Sequence, residues 1–243
     1  MNQHKNNNAN GLRYACILSA LIISALLLAG RLTYLFIADA ERFPITTIKV
    51  AASYHHVTHK ELENILAKYV GSSFFALPVG ALQDEFNNLN WIDSAYVERV
   101  WPDTLKIKLV EKIPVAVWGS ALMTADGSLF NEGSIPPDLN VPHLNGPIEQ
   151  QNEVLQIYEK LSKILSSYSL SASGLQLRKN QSWVLSLVNG TKIYLGKKEL
   201  ETRLLRFCKA YPAVFAEKAE QLASVDLRYP RGMAVQWKQQ TGR

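Results

Sequence analysis

Three neighbouring histidines, His55, His56 and His59, are the residues whose type and spacing come nearest to a metal site. Imidazole is a common zinc ligand, but a tetrahedral centre needs further donors. No cysteine or carboxylate stands at ligand spacing from the three. They read as solvated residues of a loop and a first helical turn. Glu98 and Glu111 fall on the two arms of a predicted hairpin, where paired carboxylates can do acid–base work. The simpler reading makes them surface residues paired with Arg99 or Lys108. Serines are plentiful, yet none lies in a G-x-S-x-G elbow or an S-x-x-K pattern. Neither a G-x-G-x-x-G nor a Walker loop occurs. The expectation is a protein that is not an enzyme, with no cofactor, no metal and no small-molecule substrate.

What positions any remaining functional surface begins with residues 14–37, an apolar segment interrupted only by Arg31. About 20 apolar residues cross a bilayer's hydrocarbon core as a helix, so one transmembrane helix is predicted. Arg31 lies near the far end, where its stem lets the guanidinium reach the headgroups, and Tyr34 and Phe36 suit the interface. Ala38-Asp39-Ala40 is a small-x-small pattern of the kind a signal peptidase accepts. A signal h-region is shorter, however, at about 7–15 residues, so an uncleaved anchor is expected. Lys5 and Arg13 precede the span, and no acid occurs before Asp39. That asymmetry puts residues 1–13 in the cytoplasm as a tail, with 1–11 read as disordered, and the body on the other side.

Beyond the anchor, 23 basic residues stand against 21 acidic ones, leaving the body near +2. No Lys/Arg run tracks phosphates, so nucleic acid is not an expected partner. Cys16 lies inside the span and Cys208 far out in the body, so the fold needs no disulfide.

Residues 45–50 read as a strand. Thr58 and Glu61 have capping-box spacing, and Leu62, Ile65, Leu66 and Tyr69 follow at helical intervals up to Gly71. A second helix fits Val79, Leu82, Phe86 and Leu89. A hairpin follows over 95–109, turning at Pro102-Asp103. The order β-α-α-β-β predicts a compact module with two helices on one face of a three-stranded sheet. After Pro114 come short strands at 115–118, 122–124 and 128–130. Residues 131–148, with four prolines, read as an irregular crossing loop. A helix carries Val154, Leu155, Tyr158, Leu161 and Leu165. A hairpin over 183–195 turns at Asn189-Gly190. A further helix carries Leu200, Leu204, Phe207 and Tyr211 and is expected to stop at Pro212. Two strands close the pattern, 224–229 and 233–237. Trp91, Trp101, Trp118 and Trp183 are expected in core or sheet packing, whereas Trp237 is open between core and interface.

Residues 91–107, W-I-D-S-A-Y-V-E-R-V-W-P-D-T-L-K-I, followed by Glu111 and Pro114, resemble the hairpin signature of the FtsQ/DivIB cell-division family. Ser73-Phe74-Phe75 fits the same pattern. Residues 225–237, V-D-L-R-Y-P-R-G-M-A-V-Q-W, are similar to the family's V-D-L-R-Y-x-x-G-x-A-V-x-W. The resemblance covers the whole chain. It implies an α+β fold: a transmembrane helix at 14–37, a linker at 38–44, a POTRA domain at 45–113, the family's β domain at 114–237 and a tail at 238–243. It also implies a non-enzymatic, single-pass inner-membrane component of the divisome, with its body in the periplasm at the division septum. The implied partners are FtsB and FtsL, bound through the β domain. FtsK, FtsA-dependent assembly and septal peptidoglycan synthesis proteins form a wider circle.

The chain's own chemistry fits such docking. A strand with a free edge presents unpaired N–H and C=O groups to which a partner segment can add. Tyr229, Met233 and Trp237 supply apolar contact, Gly232 allows close approach, and Arg228 offers a fork for a carboxylate. Within the resemblance, Arg228, Tyr229, Gly232 and Trp237 match the family's FtsB contact. A second family arginine aligns with Asn180, with Arg178 and Lys179 beside it. The plainer alternative is that Arg228 and Tyr229 merely close the sheet. Two other classes carry less: an outer-membrane assembly or secretion protein normally has several POTRA repeats or a barrel, and a periplasmic hydrolase needs a nucleophile and base.

Overall fold

A computed structural model describes residues 6–51, 55–131, 133 and 135–239, with side chains from residue 16 onward. The expected tail positions 1–5 and 240–243 lie outside the described residues. Helix α1 (Asn6–Ile37) contains a stretch, Cys16–Ile37, long and apolar enough to cross a membrane. The side chains of Cys16–Ile37 are exposed on every side, as lipid contact requires. The helix starts at Asn6, so the expectation of disorder through residue 11 is corrected. Once a long helix is nucleated, adding a turn costs little, and Asn and Gly weaken propagation without stopping it.

The chain divides into two compact units, Met1–Glu111 and Lys112–Arg243. In the first, strands β1 (Thr47–Ala51), β2 (Ile92–Val100) and β3 (Thr104–Glu111) form a sheet of order β1-β3-β2, with β1 parallel and β2 antiparallel to β3. Helices α2 (His59–Ala67) and α3 (Val79–Asn87) bring Leu62, Ile65, Leu82 and Phe86 onto Ile92, Ala95, Leu105 and Ile107. Residue Thr58 opens α2 with the predicted capping box: its hydroxyl accepts from Glu61 N at 3.3 Å, and Glu61 Oε2 accepts from Thr58 N at 2.8 Å.

Three expectations in this unit are corrected. Glu111 does not pair with Lys108. Its carboxylate accepts the backbone N–H groups of His55, His56 and Val57 at 2.9–3.1 Å and meets His56 Nδ1 at 3.3 Å. Burial pushes that carboxyl up, and these bonds outweigh it, so it lies below the ordinary range. Arg99 donates to the carbonyls of Phe75, at 3.2 Å, and Leu77 rather than to a carboxylate. Trp101 is 78% exposed at the hairpin tip, beyond the reach of the helices that cover the sheet. The histidine loop has its own order, since the His56 ring stacks flat on Trp91 with centroids 3.7 Å apart.

In the second unit, the described residues form a nine-stranded sheet of order β12-β11-β10-β9-β8-β7-β4-β5-β6. Its strands are β4 (Ala116–Trp118), β5 (Ala121–Met123), β6 (Leu129–Phe130), β7 (His143–Asn145), β8 (Ala172–Leu177), β9 (Trp183–Leu187), β10 (Lys192–Gly196), β11 (Leu222–Asp226) and β12 (Ala234–Trp237). Helices α4 (Gln151–Ser166) and α5 (Leu200–Val214) pack their Leu161, Leu165, Leu204 and Phe207 onto Leu175, Leu185, Ile193 and Val225. Residues 131–148 are not wholly irregular: β7 runs parallel between β4 and β8. Strand β8 has no counterpart among the expected elements. Pro212 does not stop α5, which continues to Val214. A proline there removes one donor near the helix end, and Phe215 N–H still reaches Tyr211 O at 2.9 Å.

Candidate functional site

Strand β12 pairs with β11 antiparallel and is an edge of the nine-stranded sheet. Lys238 N–H donates to Gln221 O at 2.7 Å. Alternation along the strand then turns the polar groups of Gln236 and Ala234 toward β11 and those of Val235 and Trp237 outward. The outward row is what strand addition requires.

Strand β11 ends at Asp226, so Arg228 and Tyr229 lie in the connection to β12 rather than in a strand reaching residue 229. The cause is local. Asp226 Oδ1 accepts the Arg228 N–H at 3.0 Å, a bond that competes with the ladder and turns the chain. The same carboxylate takes Arg228 Nε at 2.9 Å and Nη2 at 2.5 Å. One edge of the expected guanidinium fork is therefore already occupied, and the remaining donors are those a partner can meet. Arg228 holds the Asp226 carboxyl below the ordinary range, against the upward push of burial. The Arg228 stem lies on Gly196, where φ is +82° and an added Cβ would stand 3.2 Å from Arg228 Cγ.

A residue that no sequence motif marks fixes the rest of this connection. Arg206, on α5, donates through Nη2 to Leu227 O and Tyr229 O, each at 2.9 Å, and through Nη1 to Pro230 O at 2.7 Å. No local pattern announces it, because its acceptors are backbone carbonyls more than twenty positions away.

With the loop held, Tyr229 is 56% exposed and Trp237 is 41% exposed. The Trp237 ring lies 6.3 Å from buried Phe215, so one side of it packs toward the core and the other is exposed. Met233 is partly buried against the core. Gly232 is exposed, and a Cβ there would meet nothing within 4 Å.

Asn180 is a turn former, accepting from Ser182 N at 3.2 Å and Ser182 Oγ at 2.7 Å. The adjacent Arg178 lays its guanidinium 5.3 Å from the Tyr194 ring centre. Tyr194 on β10 is in register with Asp226 on β11. Arg178 therefore lies against the strand next to the one that carries Asp226.

Among the described residues, no cluster of three or more His, Cys, Asp or Glu is arranged for a metal ion. Cys208 is fully buried, and burial pushes its thiol up to about 11.

Comparison with known proteins decides the family. Residues 116–228 match the model for cell division protein FtsQ/DivIB, C-terminal, and residues 43–112 match the FtsQ-type POTRA domain. The chain is 33% identical over 240 residues to cell division protein FtsQ of Escherichia coli K12, covering 94% of this chain and 86% of that protein. It is 31% identical over 220 residues to the FtsQ of Coxiella burnetii, covering 90% and 89% of the two chains. The chain belongs to the FtsQ/DivIB family. A further FtsQ, from Shewanella oneidensis, is 32% identical over 219 residues, covering 90% of this chain and 83% of that one. FtsQ membership gives the chain a role in cell division. With α1 it also identifies a membrane-anchored protein whose anchor is followed by an FtsQ-type POTRA domain.

Proposed function

We propose that this chain is a non-enzymatic scaffold of the divisome that binds FtsB, and FtsL with it, by strand addition to β12. We assign 45–113 as the POTRA module, 114–237 as the docking domain, 14–37 as the anchor and 38–44 as the linker. The N-terminus lies in the cytoplasm and the body in the periplasm, gathered at the septum. FtsK and FtsA-dependent assembly are approached from the POTRA module and the span.

The observation that carries this reading is the open edge of β12, flanked by exposed Tyr229 and Trp237 on a connection tied down by Arg206. Main-chain pairing provides affinity along the edge, and the two aromatic rings provide anchors. Arg178 and the remaining donors of Arg228 give a partner carboxylate charge-assisted bonds.

The test is capture of FtsB by the full-length protein. Tyr229→Ala together with Trp237→Ala is expected to weaken binding roughly 30- to 700-fold, the equivalent of about 2–4 kcal/mol for anchor residues. Undiminished capture by a double variant with a native circular-dichroism spectrum would overturn the assignment. Val235→Pro separates strand addition from simple side-chain contact, because it removes an outward donor and spares the β11 ladder.

A further inference from the structure

We propose that the end of the first unit formed by residues 70–76 and the β2–β3 hairpin tip lies in the lipid headgroup zone of the bilayer that α1 crosses. The module then rests on the membrane instead of hanging from a free tether.

Polar contacts fix the height of this surface. Ser73 Oγ donates to the Ile37 carbonyl, the last residue of α1, at 2.7 Å, and Phe74 N–H donates to Phe43 O at 2.8 Å. The hairpin tip is tied to the same level, since Thr46 N–H reaches Asp103 O at 3.1 Å and Arg99 donates to Phe75 O at 3.2 Å. An aromatic chain links span to module: Phe36 and Phe43 centroids lie 6.0 Å apart, and Phe43 and Phe75 lie 5.1 Å apart, edge to face. The stretch Cys16–Ile37 has 22 residues. That length is enough to cross roughly 30 Å of hydrocarbon, and Asp39, Glu41 and Arg42 follow at once, so Ile37 falls at the boundary.

The surface at that level has the composition of an interfacial one. No charged residue occurs from Tyr69 to Gln83, a run of 15 positions in which ordinary composition supplies about three or four. Val70 is 80% exposed and Phe75 43%, and Trp101 projects from the tip. An apolar cleft of about 180 Å³ opens beside Val70, with Ala40, Pro44, Ile45 and Ile48 in its walls. Exposed tryptophan and phenylalanine are disfavoured in water and suited to the headgroup region. The Arg42 guanidinium lies 4.6 Å from the Phe36 ring centre and donates through Nε to Asp39 at 3.0 Å, which leaves its Nη donors for lipid phosphates. A bilayer is the occupant these features select, because the patch continues directly from the span.

The experiment uses the full-length protein with Cys16→Ser, in phosphatidylethanolamine–phosphatidylglycerol vesicles carrying headgroup spin-labelled lipid. An environment-sensitive fluorophore is placed at Val70→Cys and, for comparison, at Asp93→Cys. Asp93 is exposed on β2, seven residues and about 23 Å along the strand from the tip. Quenching at Val70 at least twofold greater than at Asp93, with a blue-shifted emission, is expected. Trp101→Glu should reduce it, and a label at Phe75→Cys should repeat it. Equal quenching at Val70 and Asp93 overturns the proposal, including the case where a protein partner, not lipid, later shields Val70.

Discussion

A methyl group added at Gly232 meets nothing within 4 Å, and the backbone there is outside the left-handed region. The fold itself therefore does not need glycine at this position, whereas the proposed approach of a partner backbone would. Gly232→Ala should leave thermal unfolding within about 0.5 kcal/mol of the parent. It should weaken FtsB capture roughly 5- to 100-fold, as an overpacked contact of about 1–3 kcal/mol would. A parent-like affinity would show that the partner stays clear of this residue. The neighbouring clamp gives a pH dependence whose sign follows from its direction. Asp226 is depressed in the folded state by Arg228. Its contribution is complete above the unfolded value near 3.9 and is lost as pH falls through the lower folded value. Carboxyl titration by NMR should place Asp226 below 3.9, and docking should be flat from pH 8 to pH 5. At Cys208 the buried thiol, near 11, should resist alkylation at pH 8 until the domain is unfolded.

At the scale of elements, the β11–β12 connection keeps its shape because Arg206 gathers three carbonyls that no ladder satisfies. Arg206→Ala should cost about 1–3 kcal/mol of local stability, seen as faster amide exchange over 228–233 and weaker capture of FtsB. The α5 core residues Leu204 and Phe207 should keep their protection, and general unfolding instead would sink this local role. On the first unit, Glu111→Gln should loosen the loop entering α2 by a similar amount, since three backbone donors lose a charged acceptor. These two side chains also mark where the sequence stops being legible. The Thr58 capping box, the Asn189-Gly190 hairpin and the β-α-α-β-β order are written in short-range patterns, and each is read directly from spacing. Strand β7 is three residues between prolines, and its partners at Val117 and Gly174 are 26 and 31 positions away. Pro212 misleads because a helix end tolerates the missing donor when packing holds the last turn. Arg206 and Glu111 act on backbone groups far away in sequence, and side-chain identity alone carries no sign of such acceptors. The β12 edge was readable as alternation beside a motif, but the turn that displays Tyr229 depended on an aspartate bonding two residues onward.

For the molecule as a whole, the two units have separate apolar cores, one around Leu82, Phe86 and Ile107 and the other around Leu161, Leu185 and Phe207. Hydrophobic stabilisation is confined to the atoms that lose water together, so a cavity in one core should leave the other's opening free energy unchanged. Leu161 is fully buried on α4. Leu161→Ala should destabilise the second unit by about 2–5 kcal/mol, with faster exchange at Leu185 and Ile193. Amides of Ile107 and Leu105 in the first unit should shift by less than about 0.5 kcal/mol, as distant, uncoupled sites do. The functional consequence separates in the same way. The β12 edge belongs to the weakened core, so FtsB capture should fall at temperatures where the second unit begins to open. Lipid quenching at Val70 depends on α1 and the first unit, and it should stay constant over that range. If both readouts fail together, the two units unfold as one, and membrane seating and partner docking are then a single cooperative property of the chain.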